Sequence, residues 1–184
     1  MSRRAVPQPA KLLASVIYRD EGRFADARGL FAERIGTVER VSDRFPFDFT
    51  EYYARELGAP LVRRFVVAAD PFARDALAAV KEAAERIEAE LAVGGRRTVN
   101  VDPGLLTEEN FILATGKNYS HRVYLRDGVF ADLTLVYEKG EYRALPWTYP
   151  DYASDAVRAF LADVRSAYRE SRGRAAEGRT CGPA

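Results

Sequence analysis

The sequence predicts an α+β domain, in which a ferredoxin-like βαββαβ half is extended by an antiparallel hairpin sheet and a C-terminal helix. Two observations predict this class. Strand-like apolar runs alternate with helical periodicities as far as residue 102. Beyond that point, short β-rich runs flank the pairs Asp127-Gly128 and Lys139-Gly140, and such pairs are typical of tight hairpin turns.

The first half alternates strands with helices. Gly36 ends the first helical periodicity, and Asp70-Pro71 has the N-cap and first-turn proline that begin many helices. The predicted elements are, in order, a strand over 12–19, a helix over 24–35, strands over 37–45 and 61–68, a helix over 70–91 and a strand over 97–102.

The second half is predicted to be antiparallel until a last helix begins after Ser154. Its apolar residues recur at helical spacing, so we expect it to dock on a sheet face. The predicted strands are 111–115, 120–126, 129–138 and 142–145.

The Asp127-Gly128 turn predicts a register for its hairpin. A two-residue loop pairs Arg126 with Val129 and, further along, His121 with Thr134. Because side chains alternate faces, His121 and Asp132 then share a face as diagonal neighbours, about 7 Å apart or less between their β-carbons.

Length and composition indicate a single globular domain over residues 10–170 of 184, with a flexible arm over 1–9 and a disordered tail over 171–184. We expect a cytoplasmic protein, because no early run is long enough for a signal core or a membrane span. Cys181 is the only cysteine, which excludes an intrachain disulfide and a cysteine metal cage. We expect neither a cofactor nor a tightly bound transition metal, since one histidine and one tail cysteine cannot supply the usual ligands.

The predicted catalytic residues are His121 and Asp132. A carboxylate beside the imidazole would orient the ring and favour its charged form, as a general acid or base requires. A structural His–Asp hydrogen bond across the hairpin explains the same pair, and we favour that interpretation.

Polar side chains around these two residues suggest an anion site. The run 114–122 is rich in hydrogen-bond donors, and its Gly-Lys-Asn turn can present backbone N–H groups to an anion, although it is not a P-loop. Asn100 and Asp102 share a strand face and with Asp132 offer oxygens to a divalent cation, but we favour Asp102 as the start of a Pro103-Gly104 turn. An aromatic loop, 147–152, would stack on a ring or cover the core. The predicted ligand-binding residues are Arg96, Arg97, Asn100, Asp102, Thr115, Lys117, Arg122 and Tyr149.

Four segments resemble a bacterial family known as domain-of-unknown-function family 4416. They are DRFPFDFTEYYARELG (43–58), GRRTVNVDPGLLT (95–107), LATGKNYSHRVYLRDGVFAD (113–132) and WTYPDY (147–152). The resemblance covers about residues 8–170. Asn118 stands where the resemblance implies an acidic residue, which weakens a metal site there. The resemblance implies no particular activity.

Two functions compete at this point. In the first, the domain binds or acts on a phosphate-bearing small molecule or nucleotide. In the second, it is a non-catalytic module that contacts RNA or a protein through its aromatic loops and its basic strand. A net charge of +1 argues against extended nucleic-acid binding, so we favour the first.

Overall fold

A computed structural model describes residues 3–50 and 52–180, which form one antiparallel nine-stranded sheet and five α-helices. The strand order is β2-β4-β1-β5-β6-β8-β7, with β3 also paired to β4 and β9 to β8. In chain order the elements are β1 (Ala10–Tyr18), α1 (Glu21–Arg34), β2 (Val38–Val41), β3 (Phe45–Phe47), α2 (Ala54–Leu57), β4 (Leu61–Phe72), α3 (Leu77–Glu90), β5 (Val99–Leu106), β6 (Asn110–Thr115), β7 (Arg122–Arg126), β8 (Val129–Glu138), β9 (Glu141–Ala144), α4 (Pro150–Ala153) and α5 (Asp155–Thr180).

Strand β1 lies inside the sheet, between β4 and β5, and all nine of its residues are buried. Its side chains alternate between two cores. Leu12, Ala14 and Val16 pack in the core that contains α1 and α3, whereas Leu13 packs in the core that contains α4 and α5. The predicted docking of the last helix on a sheet face therefore holds, and the sheet has helices on both faces.

Two residue pairs that were predicted to begin a helix or form a turn lie within strands instead. Asp70-Pro71 was predicted to cap a helix, but both residues extend β4, where Lys11 pairs with Pro71. Helix α3 starts only at Leu77, after a short 3-10 turn. Pro103-Gly104 was predicted to be a turn that Asp102 begins, yet β5 runs through both residues to Leu106.

The Asp127-Gly128 hairpin is present, with left-handed backbone at Asp127 and Gly128 (φ of 52° and 76°) as a two-residue turn of this type needs. Its predicted register is wrong beyond the first pair. A bulge between Tyr124 and Arg126 shifts the pairing, so that Arg122 lies opposite Asp132. The extra residue of a bulge changes which partners face each other from that point on.

Helix α5 runs from Asp155 to Thr180, into the segment 171–184 for which a disordered tail is predicted. Residues 181–184, which include Cys181, lie outside the described residues. The helix is tied to the loop before β6 because Arg169 and Arg172 both pair with Glu108. Within residues 3–50 and 52–180, no helix combines the length and the apolar character that crossing a membrane requires.

Candidate functional site

The sheet splits between β5 and β6, and a cavity lies in the split. These strands pair only from Gly104 to Leu106 with Leu113 to Phe111, so Val99–Pro103 and Ala114–Thr115 are not bridged to each other. Pro103, which has no N–H to donate, stands on the open part of β5. The cavity has a volume of about 570 Å³, and Asn100, Asp102 and Thr115 line it from the two separated strands.

A chain of charged side chains forms the β5 side of the cavity. Lys81 on α3 donates from Nζ to Asp102 Oδ1 at 2.9 Å, and Asn100 Nδ2 donates to Asp102 Oδ2 at 2.7 Å. The guanidinium of Arg97 continues the chain with a 2.9 Å bond to Asn100 Oδ1. Glu56 on α2 then receives two bonds from Arg97, at 2.9 and 2.6 Å. A network with so many satisfied members is rigid.

The charges in this network follow from their surroundings. Burial opposes the charge on Lys81, but Asp102 and Glu88 outweigh it and raise the pKa of Lys81. Burial likewise opposes the charge on Asp102, yet Lys81 and Asn100 hold the pKa of Asp102 below its ordinary value. Burial raises the pKa of Glu88 despite the opposing effect of Lys81. At neutral pH, Lys81 is therefore an ammonium and Asp102 a carboxylate, which makes Lys81 a poor amine nucleophile.

The opposite side of the cavity is built around Asp132 on β8. Arg122 Nε donates to Asp132 Oδ2 at 2.8 Å, and His121 Nε2 lies 3.3 Å from the same oxygen. The imidazole stacks on the ring of Trp147, with centroids 4.9 Å apart and planes 11° apart. Asp132 and Arg122 line the cavity, whereas His121 lies behind them and does not.

The mouth of the cavity carries a cation among exposed aromatic rings. Lys117 Nζ donates to Tyr52 Oη at 3.1 Å and lies 4.3 Å from the centre of that ring. Phe49, Tyr52 and Tyr149 line the cavity although each is at least half exposed to solvent. Exposed aromatic rings around a concave site are typical of surfaces that stack on a ligand.

A second buried ion pair, Arg63–Asp151, lines the interior of the cavity. Arg63 is on β4 and Asp151 on α4, and each is 5% exposed. The guanidinium lies 4.3 Å from the centre of the Tyr152 ring and 5.0 Å from that of Phe47.

The structure brings most of the predicted site residues to one cavity. Those that line it are Arg97, Asn100, Asp102, Thr115, Lys117, Arg122, Tyr149 and Asp132. Two do not: His121 lies behind Asp132, and Arg96 is exposed in the turn before β5, bridged to Val93. The predicted ligand-binding cations that line the cavity therefore lie apart, with Arg97 on the β5 side, Arg122 on the opposite side and Lys117 at the mouth.

Sequence reasoning missed the charged residues that α3 and β4 contribute. Lys81 and Glu88 are buried and line the cavity, and so does Glu85 at its edge. They recur at positions 81, 85 and 88, a helical spacing that places them on one face. That polar stripe beside the apolar stripe of α3 was the available signal. The sequence offered no comparable signal for Arg63, because a charged residue within a strand-like run does not by itself indicate a cavity.

Metal-ligating side chains do not gather into a group of three in the described part of the chain. No group of three His, Cys, Asp or Glu side chains stands close enough to hold a metal ion there. Asp102, once considered with Asn100 and Asp132, has both carboxylate oxygens bonded within the β5 network.

Fold and site together define an α+β domain whose split sheet holds a cavity lined by charged and aromatic side chains. The sequence profile of the family described as Domain of unknown function (DUF4416) matches residues 8–168, and the chain belongs to this family. No curated protein and no solved structure matches the chain.

Proposed function

We propose that the cavity binds a phosphate-bearing small molecule of nucleotide size. The observation that carries the proposal is the position of Lys117, a cation among exposed aromatic rings at the mouth of a cavity of about 570 Å³. Ligand pockets commonly measure about 300–1,000 Å³, so a mononucleotide fits this volume. A ring stacked at the mouth and an anionic group held by an ammonium are the two features that such a ligand offers.

Lys117 is the best anchor for phosphate because the other cations are already paired. Arg122 is bonded to Asp132, and Arg97 to Glu56 and Glu88. Among the described residues, the recorded contacts of the Lys117 ammonium are with Tyr52 and not with a carboxylate. A ligand phosphate can replace the Tyr52 hydroxyl there without breaking an ion pair between described residues. Gly116, which precedes Lys117, is exposed and has open space around it, so it does not obstruct a phosphate.

In a catalytic role, Asp132 rather than His121 would be the group that contacts the ligand. Asp132 faces the cavity, and His121 reaches it only through that carboxylate. The pair therefore supports binding first, with His121 acting on a ligand indirectly, through the charge and position of Asp132.

The test is thermal unfolding with inorganic phosphate, nucleoside mono-, di- and triphosphates, and a short RNA. A ligand at about 100 times its dissociation constant should stabilise the folded protein by about 2.7 kcal/mol. Lys117→Ala should fold normally and lose that gain. Arg143→Ala removes one positive charge from an exposed position on strand β9 and is the matched control, which should keep the gain. Equal stabilisation of all three proteins would refute the role of Lys117.

The alternative is a non-catalytic module that binds RNA or a protein. The observation in its favour is the edge strand β7, where Val123, Tyr124 and Leu125 are all exposed. Under this alternative, the RNA arm of the same experiment stabilises the protein and the mononucleotides do not.

We further propose a ferredoxin-like arrangement for the first half and a cytoplasmic location. The elements β1, α1, β2, β4, α3 and β5 follow one another in the chain, with only the short β3 and α2 inserted before β4. This order, with β4 and β1 between β2 and β5 in the sheet, supports the first. A single cysteine in 184 residues supports the second, since secreted domains commonly rely on disulfides. Fractionation of cells that produce the protein would test the location.

A further inference from the structure

Lys117 lies in the loop between β6 and β7, yet side chains of the cavity wall hold both polar groups of its backbone. Its N–H donates to Thr115 Oγ1 at 3.2 Å, and its carbonyl oxygen accepts from Arg122 Nη1 at 3.0 Å. Lys117 as a whole is exposed, and its ammonium contacts Tyr52 at the mouth of the cavity. The backbone of Lys117 is therefore fixed although its side chain is accessible.

Arg122 can hold this carbonyl because its own position is fixed. Its Nε donates to Asp132 Oδ2 at 2.8 Å, and its side chain is only 9% exposed. Burial opposes the charge on Arg122, but Asp132 and Tyr149 outweigh that effect and raise the pKa of Arg122. One planar guanidinium thus joins a carboxylate of β8 to the loop that carries Lys117. The single ammonium of a lysine cannot reproduce this fork geometry.

Exposed loops commonly move, and ordering a loop when a ligand binds lowers the affinity. A cation whose backbone is already held avoids that loss. We propose that Arg122 and Thr115 are positioning residues, which hold the backbone of Lys117 so that its ammonium stands at the mouth before a phosphate arrives. Arg122 then acts through Lys117 and does not itself contact the ligand, since its charge is balanced by Asp132. This inference rests on the proposed function.

Two substitutions each remove one of these bonds without changing the net charge. Arg122→Lys keeps a cation beside Asp132 but loses the planar fork, and Thr115→Val replaces the hydroxyl in a strand, where valine is favoured. Arg126→Lys, at an exposed position on β7, is the matched control. NMR titration with inorganic phosphate and with adenosine monophosphate measures the affinity. Arg122→Lys and Thr115→Val should each weaken binding by about three- to tenfold, and the control should leave it unchanged.

The ¹⁵N relaxation of the Lys117 amide, measured without ligand, separates positioning from a general effect on stability. This amide should become more mobile in Arg122→Lys and in Thr115→Val, and keep its wild-type relaxation in Arg126→Lys. Urea unfolding shows whether each variant folds. If Arg122→Lys does not fold, Thr115→Val decides the question by itself.

Weaker phosphate binding with an unchanged Lys117 amide would mean that Arg122 or Thr115 contacts the phosphate directly. Unchanged binding would mean that the two bonds serve only the stability of the loop. Either result overturns the inference and leaves the proposed function in place. If Lys117→Ala binds the phosphates as tightly as wild type does, the proposed function fails and the inference fails with it.

Discussion

Replacing Lys81 with methionine should destabilise the protein strongly, since it leaves Asp102 charged and without its cation. The Lys81 side chain is 8% exposed and that of Asp102 26% exposed. Removing one partner of a buried pair costs about 3–5 kcal/mol, and the partial exposure of Asp102 places this case near 3 kcal/mol. Glu88 adds to the effect because Lys81 also offsets its charge.

Urea unfolding followed by circular dichroism measures this loss in Lys81→Met, in Asp102→Asn and in the double variant. The double variant should be more stable than the sum of the two single losses implies, because neither charge is then left alone. Glu85→Gln, which changes an exposed partner 3.9 Å from Lys81, is the control and should cost little. A loss below about 1 kcal/mol in Lys81→Met, or additive losses in the double variant, would refute the interpretation of the network.

The same pair predicts that the stability of the protein depends on pH. The folded-state pKa of Asp102 lies below its ordinary 3.8, so the stabilising effect of its charge is present above that value and is lost as the pH falls. Between about pH 5 and 3, wild type should therefore lose more stability than Asp102→Asn. Gly104→Ala should cost about 1–3 kcal/mol in urea unfolding, because a β-carbon there would lie 2.8 Å from the Phe111 ring and 2.9 Å from a backbone oxygen, whereas Gly116→Ala meets nothing within 4 Å and should be neutral. An equal cost at both glycines would contradict this packing. His121→Ala should fold and lose only about 1 kcal/mol of stability, since Arg122 still neutralises Asp132. Unfolding followed by Trp147 fluorescence measures this loss, and a much larger value would mean that His121 mainly stabilises the fold. Burial and Glu21 raise the pKa of Tyr18 to about 12, and burial raises the pKa values of three other tyrosines further. Those three are Tyr53, Tyr142 and Tyr152. In an alkaline titration, part of the tyrosine absorbance change should therefore appear only when the protein unfolds. A complete absorbance change in the folded protein at about pH 11 would contradict this expectation.

The local turn signals of the second half were enough to predict its strands, because Asp127-Gly128 adopts the left-handed backbone that such pairs favour. The bulge beside Leu125 was beyond the same reasoning, since nothing in Tyr-Leu-Arg demands an extra residue. His121 and Asp132 nevertheless meet, because His121 reaches Asp132 Oδ2 from just before the first residue of β7.

The failures in the first half share one physical cause. Asp70-Pro71 and Pro103-Gly104 have strong local preferences for caps and turns, but tertiary pairing overrides them. Pro71 pairs with Lys11, and Gly104 is needed where the Phe111 ring packs on the strand. The Lys11–Pro71 pairing joins residues far apart in the chain, and the Phe111 ring meets Gly104 only because β5 and β6 pair, so a local pattern reveals neither.

The candidate site was predictable where its residues cluster in sequence, as in 97–102 and 115–122. Lys81, Arg63 and Asp151 come from three other elements, and only the split of the sheet brings them together. The division of the cations into separate ion pairs depends equally on folding, since Glu56 is 41 residues from its partner Arg97.

Strand β1 belongs to both cores at once, with alternate side chains in the layer of α1 and α3 and in the layer of α4 and α5. Its backbone is also bonded on both edges, to β4 and to β5. If one layer unfolded alone, it would leave one face of β1 exposed to solvent, so the two layers share a single cooperative unfolding transition. The amides of β1 are therefore placed to exchange with solvent only when the whole domain opens, while the outlying β7 and β9 can loosen without disturbing that centre.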